Sequence, residues 1–186
     1  MRNRLLPLLL LSLLLATSCA STRQDQIIRD ADRLLSEGRA VEAARLYAEA
    51  VAKRPQSATL SYNHLYARYL AGEWEEAAAG AQAAFARFPY HLEFLRLKAR
   101  ALLKAGDEEQ SRAVWNEIFA LDPANHELKA QVMEDAYRGG QLTLAEDLAK
   151  ELTRLPSHEK AALTILAALH PGSWWEAALA YLTYQD

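Results

Sequence analysis

The segment Gly72–Ala77, GEWEEA in one-letter code, contains a glycine that recurs along the chain at a fixed spacing. Glycines stand 34 residues apart at Gly38, Gly72, Gly106 and Gly140. A fixed period of about 20 to 50 residues is the sequence signature of repeat proteins, in which each repeat is one supersecondary unit. The segment therefore indicates a chain built from repeats, each with one glycine turn.

Small or apolar residues follow these glycines at matching positions. Five residues after them the chain has Ala43, Ala77, Ser111 and Ala145. Nine residues after them it has Tyr47, Ala81, Trp115 and Ala149, and twelve residues after them Ala50, Ala84, Ile118 and Leu152. Because small residues let paired helices approach closely, we expect these positions to be buried between helices.

Prolines mark the end of most repeats, at Pro55, Pro89 and Pro123, with Pro156 one residue early in the fourth. Glycine adopts the positive φ that ends a helix, and proline cannot continue one. Each repeat is therefore predicted as helix, turn, helix. A fifth turn is indicated by Gly172–Ala177, GSWWEA. The predicted repeats span residues 24–57, 58–91, 92–125, 126–157 and 158–186.

The period and the order of small, aromatic, small and proline positions resemble the tetratricopeptide-repeat (TPR) family. The resemblance covers essentially the whole chain after its first twenty residues. It implies an all-α fold, a right-handed TPR α-solenoid of about five helix-turn-helix repeats with a concave and a convex face. The resemblance implies one TPR domain over residues 24–186 and a separate N-terminal leader.

The N-terminus has the composition of a secretory signal peptide, predicted over residues 1–18. Arg2 and Arg4 precede the apolar run Leu5–Ala16, which is shorter than the roughly 20 residues of a membrane-spanning helix. Cys19 is the single cysteine, and residues 15–19 resemble the bacterial lipobox, which implies a palmitate-bearing lipoprotein with a short tether over residues 19–23. The alternative is ordinary cleavage after Ser18 or Ala20. Ala20 after the cysteine, rather than Asp, implies the periplasmic side of the outer membrane.

Charge and motifs exclude several function classes. Removal of residues 1–18 leaves 19 basic and 24 acidic residues, so a nucleic-acid partner is not expected. The five histidines are scattered, and no phosphate loop or nucleophile elbow occurs in the sequence. We therefore expect no catalytic residues, no metal site and no cofactor, and we interpret the chain as a binding protein rather than an enzyme. Contact with a membrane is expected through the lipid anchor only.

The TPR resemblance also implies a concave groove lined by the first helix of each repeat, which in TPR proteins binds a peptide or helix of a protein partner. At the groove positions the chain has an aromatic row beside charged residues. The predicted groove residues are Tyr62, Tyr66, Tyr69, Arg96, Arg100, Lys104, Glu134, Tyr137 and Arg138. We expect them to be partly exposed and outside the core between repeats, and to suit a partner with aromatic and acidic side chains. The alternative is that the tyrosines serve packing alone.

The last predicted helix is apolar on more than one face, so we expect more than one face to be covered. Its predicted docking residues are Trp174, Trp175, Tyr181 and Leu182. They would meet a partner subunit or a second copy of the chain, giving a homo-oligomer. The alternative is that both tryptophans fold back onto the preceding repeat.

These features together predict a lipid-anchored periplasmic scaffold or adaptor for an envelope assembly. It is similar in plan to the TPR lipoproteins that act as type IV pilus pilotins, in tight-adherence pili or in β-barrel assembly. An alternative is a TPR lipoprotein that assists a periplasmic solute receptor in ligand handling, and a third is an adaptor for a cell-wall hydrolase.

Overall fold

The structure, a computed structural model, describes residues 23–184 and the backbone of residue 185. The predicted signal peptide, the lipidation site at Cys19 and nearly all of the predicted tether lie outside the described residues. Across residues 23–185, no helix is both long enough and apolar enough to cross a membrane.

The described residues form helices joined by short turns, and no strand occurs among them. Helix α1 covers residues 23–36. The others are α2 Ala40–Lys53, α3 Ala58–Leu70, α4 Trp74–Arg87, α5 Glu93–Lys104, α6 Glu108–Leu121, α7 His126–Arg138, α8 Leu142–Leu152, α9 Pro156–Leu169 and α10 Trp174–Gln185. These helices make five successive pairs, so the predicted all-α solenoid class is confirmed.

The turn inside each pair depends on its glycine. Gly38, Gly72, Gly106, Gly140 and Gly172 all have a positive φ, between 76° and 87°. In the second turn, the N–H of Glu73 donates to the carbonyl of Arg68 at 3.0 Å, which satisfies a carbonyl that the end of α3 would otherwise leave unpaired. A residue with a Cβ would be strained in this conformation, so the glycine period of the sequence is a period of helix ends.

The positions predicted to be buried pack between helices with one exception. Ala43, Ala77, Ser111 and Ala145 have no exposed surface, and Ala50 and Ala81 have none either. Ala84 was expected to be equally buried, but it is only half-buried. Gly80 explains part of the close packing of α3 against α4, because a Cβ at Gly80 would lie 2.3 Å from the Cδ2 atom of Leu65.

The chain divides into two compact units, with the division between Ala105 and Gly106. Helices α1–α5 belong to the first unit and α6–α10 to the second. In the first unit, one core cluster contains Leu65, Ala81, Phe94 and Leu97. The second unit has its own core, which includes Trp115, Met133 and Leu166.

Candidate protein-binding surfaces

Three tyrosines form a row along α3 in the first unit. Tyr62, Tyr66 and Tyr69 follow one another at the spacing that places residues on one helix face. The ring centroids of Tyr62 and Tyr66 are 5.9 Å apart with an interplanar angle of 8°. Those of Tyr66 and Tyr69 are 6.1 Å apart at 16°. The predicted aromatic row therefore exists as a stack of near-parallel, half-buried rings.

The tyrosine row also packs against the core, which corrects the expectation that it lies outside it. Tyr62 makes an edge contact with Phe94 of α5, with ring centroids 6.0 Å apart. All three tyrosines pack against the cluster that contains Leu65 and Phe94. Aromatic residues bury large areas, so these half-buried rings stabilise the contact of α3 with α5 while part of their surface remains exposed to solvent. Packing and recognition are therefore not exclusive alternatives here.

Basic residues of α5 lie beside this row. Arg96, Arg100 and Lys104 recur every four residues along α5, on one face of that helix. Burial raises the pKa of the Tyr62 hydroxyl, and the positive charge of Arg100 opposes that shift, so Arg100 acts electrostatically on the tyrosine row. Arg100 and Lys104 are exposed. We call these three residues together with Tyr62, Tyr66 and Tyr69 the α3–α5 surface.

Arg96 differs from the other two cations. Its side chain is half-buried, and its Nε atom is buried without a hydrogen-bond partner among residues 23–185. A buried guanidinium donor with no acceptor is costly, and a carboxylate is the acceptor with the best matching geometry. The α3–α5 surface therefore combines stacked aromatic rings with the guanidinium groups of Arg96 and Arg100.

The remaining predicted groove residues lie in the second unit, on α7. Glu134 and Tyr137 line a depression of about 270 Å³ together with Arg138, and α9 supplies Ala161 and Ile165. Arg138 forms ion pairs with Glu134 at 2.6 Å and with Asp135 at 3.0 Å. Its positive charge is therefore balanced by acidic residues of its own helix. We call this the α7–α9 surface, and its continuity with the α3–α5 surface remains a prediction.

Helix α10 exposes much of its apolar surface. Trp174 is 64% exposed, Tyr181 65% and Tyr184 92%. Trp175 and Leu182 are half-buried, and α10 packs against α9. The indole rings of Trp174 and Trp175 lie 3.6 Å apart between centroids. Trp174 therefore does not fold back onto the preceding repeat as the packing alternative requires. Tyr184, absent from the predicted docking residues, is the most exposed of these aromatics.

Two buried polar contacts in the second unit were not predicted from the sequence. Nε2 of Gln141 donates to Oγ of Ser111 at 3.3 Å, and both residues are buried. Lys129 is buried as well, where it pairs with Glu151 and lies 5.8 Å from the ring centroid of Phe119. The signal for the first was Ser111 itself, a hydroxyl where the other repeats have alanine. The second had no signal at the spacing of the repeat.

The described residues hold no group of three or more His, Cys, Asp or Glu side chains placed to bind a metal ion. The acidic pairs at the starts of second helices are exposed, as at Glu75 and Glu108. Such residues stabilise the positive end of the helix dipole.

Comparison with known proteins supports the fold. No family model matches the sequence, and no curated protein matches it. Among solved structures, the chain is similar to the MamA RS-1 ArsTM double mutant, with a TM-score of 0.62 and 17% identity over 88% of this chain and 97% of that one. A protein from Bacteroides ovatus ATCC 8483 described as protein-binding gives a TM-score of 0.38 and 13% identity over 87% and 96%, too low to support an argument. MamA contains TPR repeats, so its similarity shows a TPR-like helical-repeat fold.

Proposed function

We propose that this protein is a scaffold or adaptor that binds a segment of a partner protein on the α3–α5 surface, and that its role is binding rather than catalysis. The observation that carries the proposal is the stack of Tyr62, Tyr66 and Tyr69 beside Arg96 and Arg100. Tyrosine and arginine are enriched among the residues that dominate binding energies, because they combine large contact area with polar groups.

The chemistry of the surface favours an extended or helical segment with aromatic and acidic side chains. Flat partner groups would lie on the accessible sides of the tyrosine rings. Carboxylates of the partner would pair with the guanidinium groups of Arg96 and Arg100. The solvent-exposed Arg100 and Lys104 would contribute more to the rate of encounter and to specificity than to affinity.

We further propose that the protein works in the cell envelope, anchored by a lipid on Cys19 to the periplasmic side of the outer membrane. This part rests on the sequence alone: a basic start, a short apolar run and a solitary cysteine. An envelope assembly such as a pilus, a secretion system or the machinery of outer-membrane biogenesis would then supply the partner.

A ligand-handling role beside a periplasmic solute receptor is the second candidate, and the depression of the α7–α9 surface favours it. At about 270 Å³ it is near the lower end of small-molecule pockets, which begin at roughly 300 Å³. A solute receptor recovered as the bound partner would support this candidate, whereas structural subunits of an assembly would support the scaffold.

Photocrosslinking tests the site of binding. A photoreactive residue placed at position 66 or position 100 in cells should give a specific adduct, which mass spectrometry identifies. The same residue at Glu117, exposed on α6, is the control. Adducts of equal yield from all three positions would contradict specific binding at the α3–α5 surface.

Binding and stability should separate in a variant pair. Arg100→Glu with Tyr66→Ala should weaken binding of the identified partner by about tenfold or more, because both a cation and a stacking ring are lost. It should remain folded, although Tyr66→Ala lowers the melting temperature since that ring packs on the core. Ala81→Glu should unfold the first unit, because Ala81 has no exposed surface and an unpaired carboxylate would be buried. Calorimetry and circular dichroism measure both effects.

A further inference from the structure

A second recess lies on the other side of α3 from the tyrosine row. Two depressions, of about 220 Å³ and 270 Å³, share His64 in their lining. Helix α3 supplies the floor, and helices α2 and α4 supply the walls. The residues that line it are Val41, Ala44, Arg45, Ala48 and Val51 of α2, Ser61, His64, Leu65 and Arg68 of α3, and Glu73, Gly80, Ala83, Ala84, Arg87 and Phe88 in and beside α4. We call this recess the α2–α4 furrow.

The furrow is independent of the α3–α5 surface. His64 and Arg68 each follow a tyrosine of the row by two residues, which places them about 200° around the helix from it. Ligands on the two surfaces would therefore approach α3 from opposite sides.

The walls of the furrow are small and accessible. Ala83 is exposed, Gly80 and Ala84 are half-buried, and Val41 is 63% exposed at one end. Small side chains let another helix approach closely, and apolar surface that solvent still reaches favours such a contact. Along α2 the furrow extends from Val41 to Val51, which is about 15 Å at the rise of an α-helix, or roughly ten residues of a helical partner.

The charges of the lining are mostly positive. Arg45 and Arg87 are exposed, and each lines a different one of the two depressions. Arg68 donates to Glu73 at 2.6 Å, so that pair is balanced internally. Arg45 also interacts electrostatically with Glu42 and Glu49 of its own helix, and these two glutamates lie outside the furrow lining. A partner that brings carboxylates to Arg45 and Arg87 would complement the lining, while one that brings lysines would be repelled.

His64 keeps the floor of the furrow polar and uncharged at neutral pH. Burial lowers its pKa, and the adjacent Arg68 lowers it further. A neutral imidazole can donate one hydrogen bond and accept another without adding a further positive charge to the lining.

We propose that the α2–α4 furrow docks an α-helix of a partner protein, with a small apolar face between α2 and α4 and carboxylates that reach Arg45 and Arg87. This surface is separate from the one in the proposed function, so either can fail without the other. It would let the scaffold hold two protein segments at once.

A pair of synthetic helical peptides tests the charge requirement. One has an Ala and Leu stripe flanked by glutamates, and the other has lysines at the same flanking positions. Fluorescence anisotropy at low salt should show binding of the glutamate peptide only, with nuclear magnetic resonance shifts at Ala48, His64 and Ala83. Equal binding of both peptides, or of neither, would overturn the proposal.

Two matched substitutions on α4 test the location. Ala83→Glu places a carboxylate in the furrow and should weaken binding of the glutamate peptide by about tenfold or more. Ala86→Glu changes the net charge equally at an exposed position outside the lining, and should change binding less than about twofold. Both should give wild-type circular dichroism, since both alanines are exposed.

Two further measurements test the alternatives, which are binding of the peptide at the α3–α5 surface and occupation of the furrow by a second copy of the chain. Arg100→Gln, at an exposed residue of the α3–α5 surface, should leave binding of the glutamate peptide unchanged; loss of binding would place the peptide on the α3–α5 surface and overturn the furrow proposal while leaving the proposed function intact. Sedimentation of the protein alone should show no dimer that Ala83→Glu disrupts, because such a dimer would mean that a second copy occupies the furrow.

Discussion

Gly139 and Gly140 are neighbours with opposite backbone conformations, φ −84° and +81°. We expect Gly140→Ala to lower the free energy of unfolding by about 1–2 kcal/mol, the usual cost of a left-handed conformation for a residue with a Cβ. No atom lies within 4 Å of that Cβ, so the cost is conformational rather than steric. Gly139→Ala is the matched control and should be neutral or stabilise by about 0.5 kcal/mol. Urea unfolding measures both, and equal effects would contradict the role assigned to the turn glycine.

His64 predicts a dependence of stability on pH. Its folded pKa is lowered from 6.5 by burial and by Arg68, so the unfolded chain binds its proton more readily. The free energy of unfolding should therefore be unaffected by this group above about pH 7 and should fall as the pH drops through 6.5 and below. His64→Gln should flatten that part of the curve measured by urea unfolding between about pH 7.5 and 5.5. A variant curve parallel to that of the wild type would refute the assignment.

Several residues could be predicted from the sequence because the repeat imposes the same environment on each of them. The turn glycines and the buried alanines are of this kind, and all five glycines have the expected positive φ. Ala84 departs from the pattern because one side of it lines the α2–α4 furrow, although it also packs against the cluster that contains Leu65 and Phe94. Contacts that only one repeat makes, such as those of Lys129 with Glu151 and Phe119, have no period to reveal them.

At the scale of the helix, α3 shows what a sequence pattern leaves undetermined. Spacing alone placed Tyr62, Tyr66 and Tyr69 on one face, and the structure stacks them. The spacing could not predict how deeply the rings would be buried against α5. That burial depends on contacts such as the one between Tyr62 and Phe94, and Phe94 is outside the pattern. The sequence therefore predicted that the three tyrosines form a row, but it did not predict that they pack against the core.

Helix α10 carries a prediction about self-association. Trp174, Tyr181 and Tyr184 leave a large apolar area in solvent, and such areas usually mark a contact with another molecule. We expect the protein to form a concentration-dependent oligomer in analytical ultracentrifugation, and Trp174→Glu with Tyr181→Glu, at two exposed positions, to shift it to monomer. Glu176→Gln, an exposed change on the same helix, serves as the control. A wild type that stays monomeric at high concentration would refute self-association.

For the whole molecule, the main prediction concerns location. Lipidation of Cys19 should place the protein in the membrane fraction, and Cys19→Ser should move it to the soluble periplasmic fraction, because one thioether-linked lipid anchor is removed. Labelled palmitate should be incorporated by the wild type and not by the variant. Cleavage by ordinary signal peptidase would instead give a soluble, unlabelled wild type. A blot for a known lipoprotein in the same fractions is the control.

The two neighbouring indoles of α10 also give the protein an optical signal of its own. Trp174 and Trp175 are 3.6 Å apart between ring centroids and tilted by 33°, close enough for their electronic transitions to couple. The chain has four tryptophans in all, and the other two, Trp74 and Trp115, stand singly on α4 and α6. Coupled chromophores give a paired band in circular dichroism that disappears when their angle changes. Unfolding of α10, or binding of another molecule to it, can therefore be followed by circular dichroism without an added label.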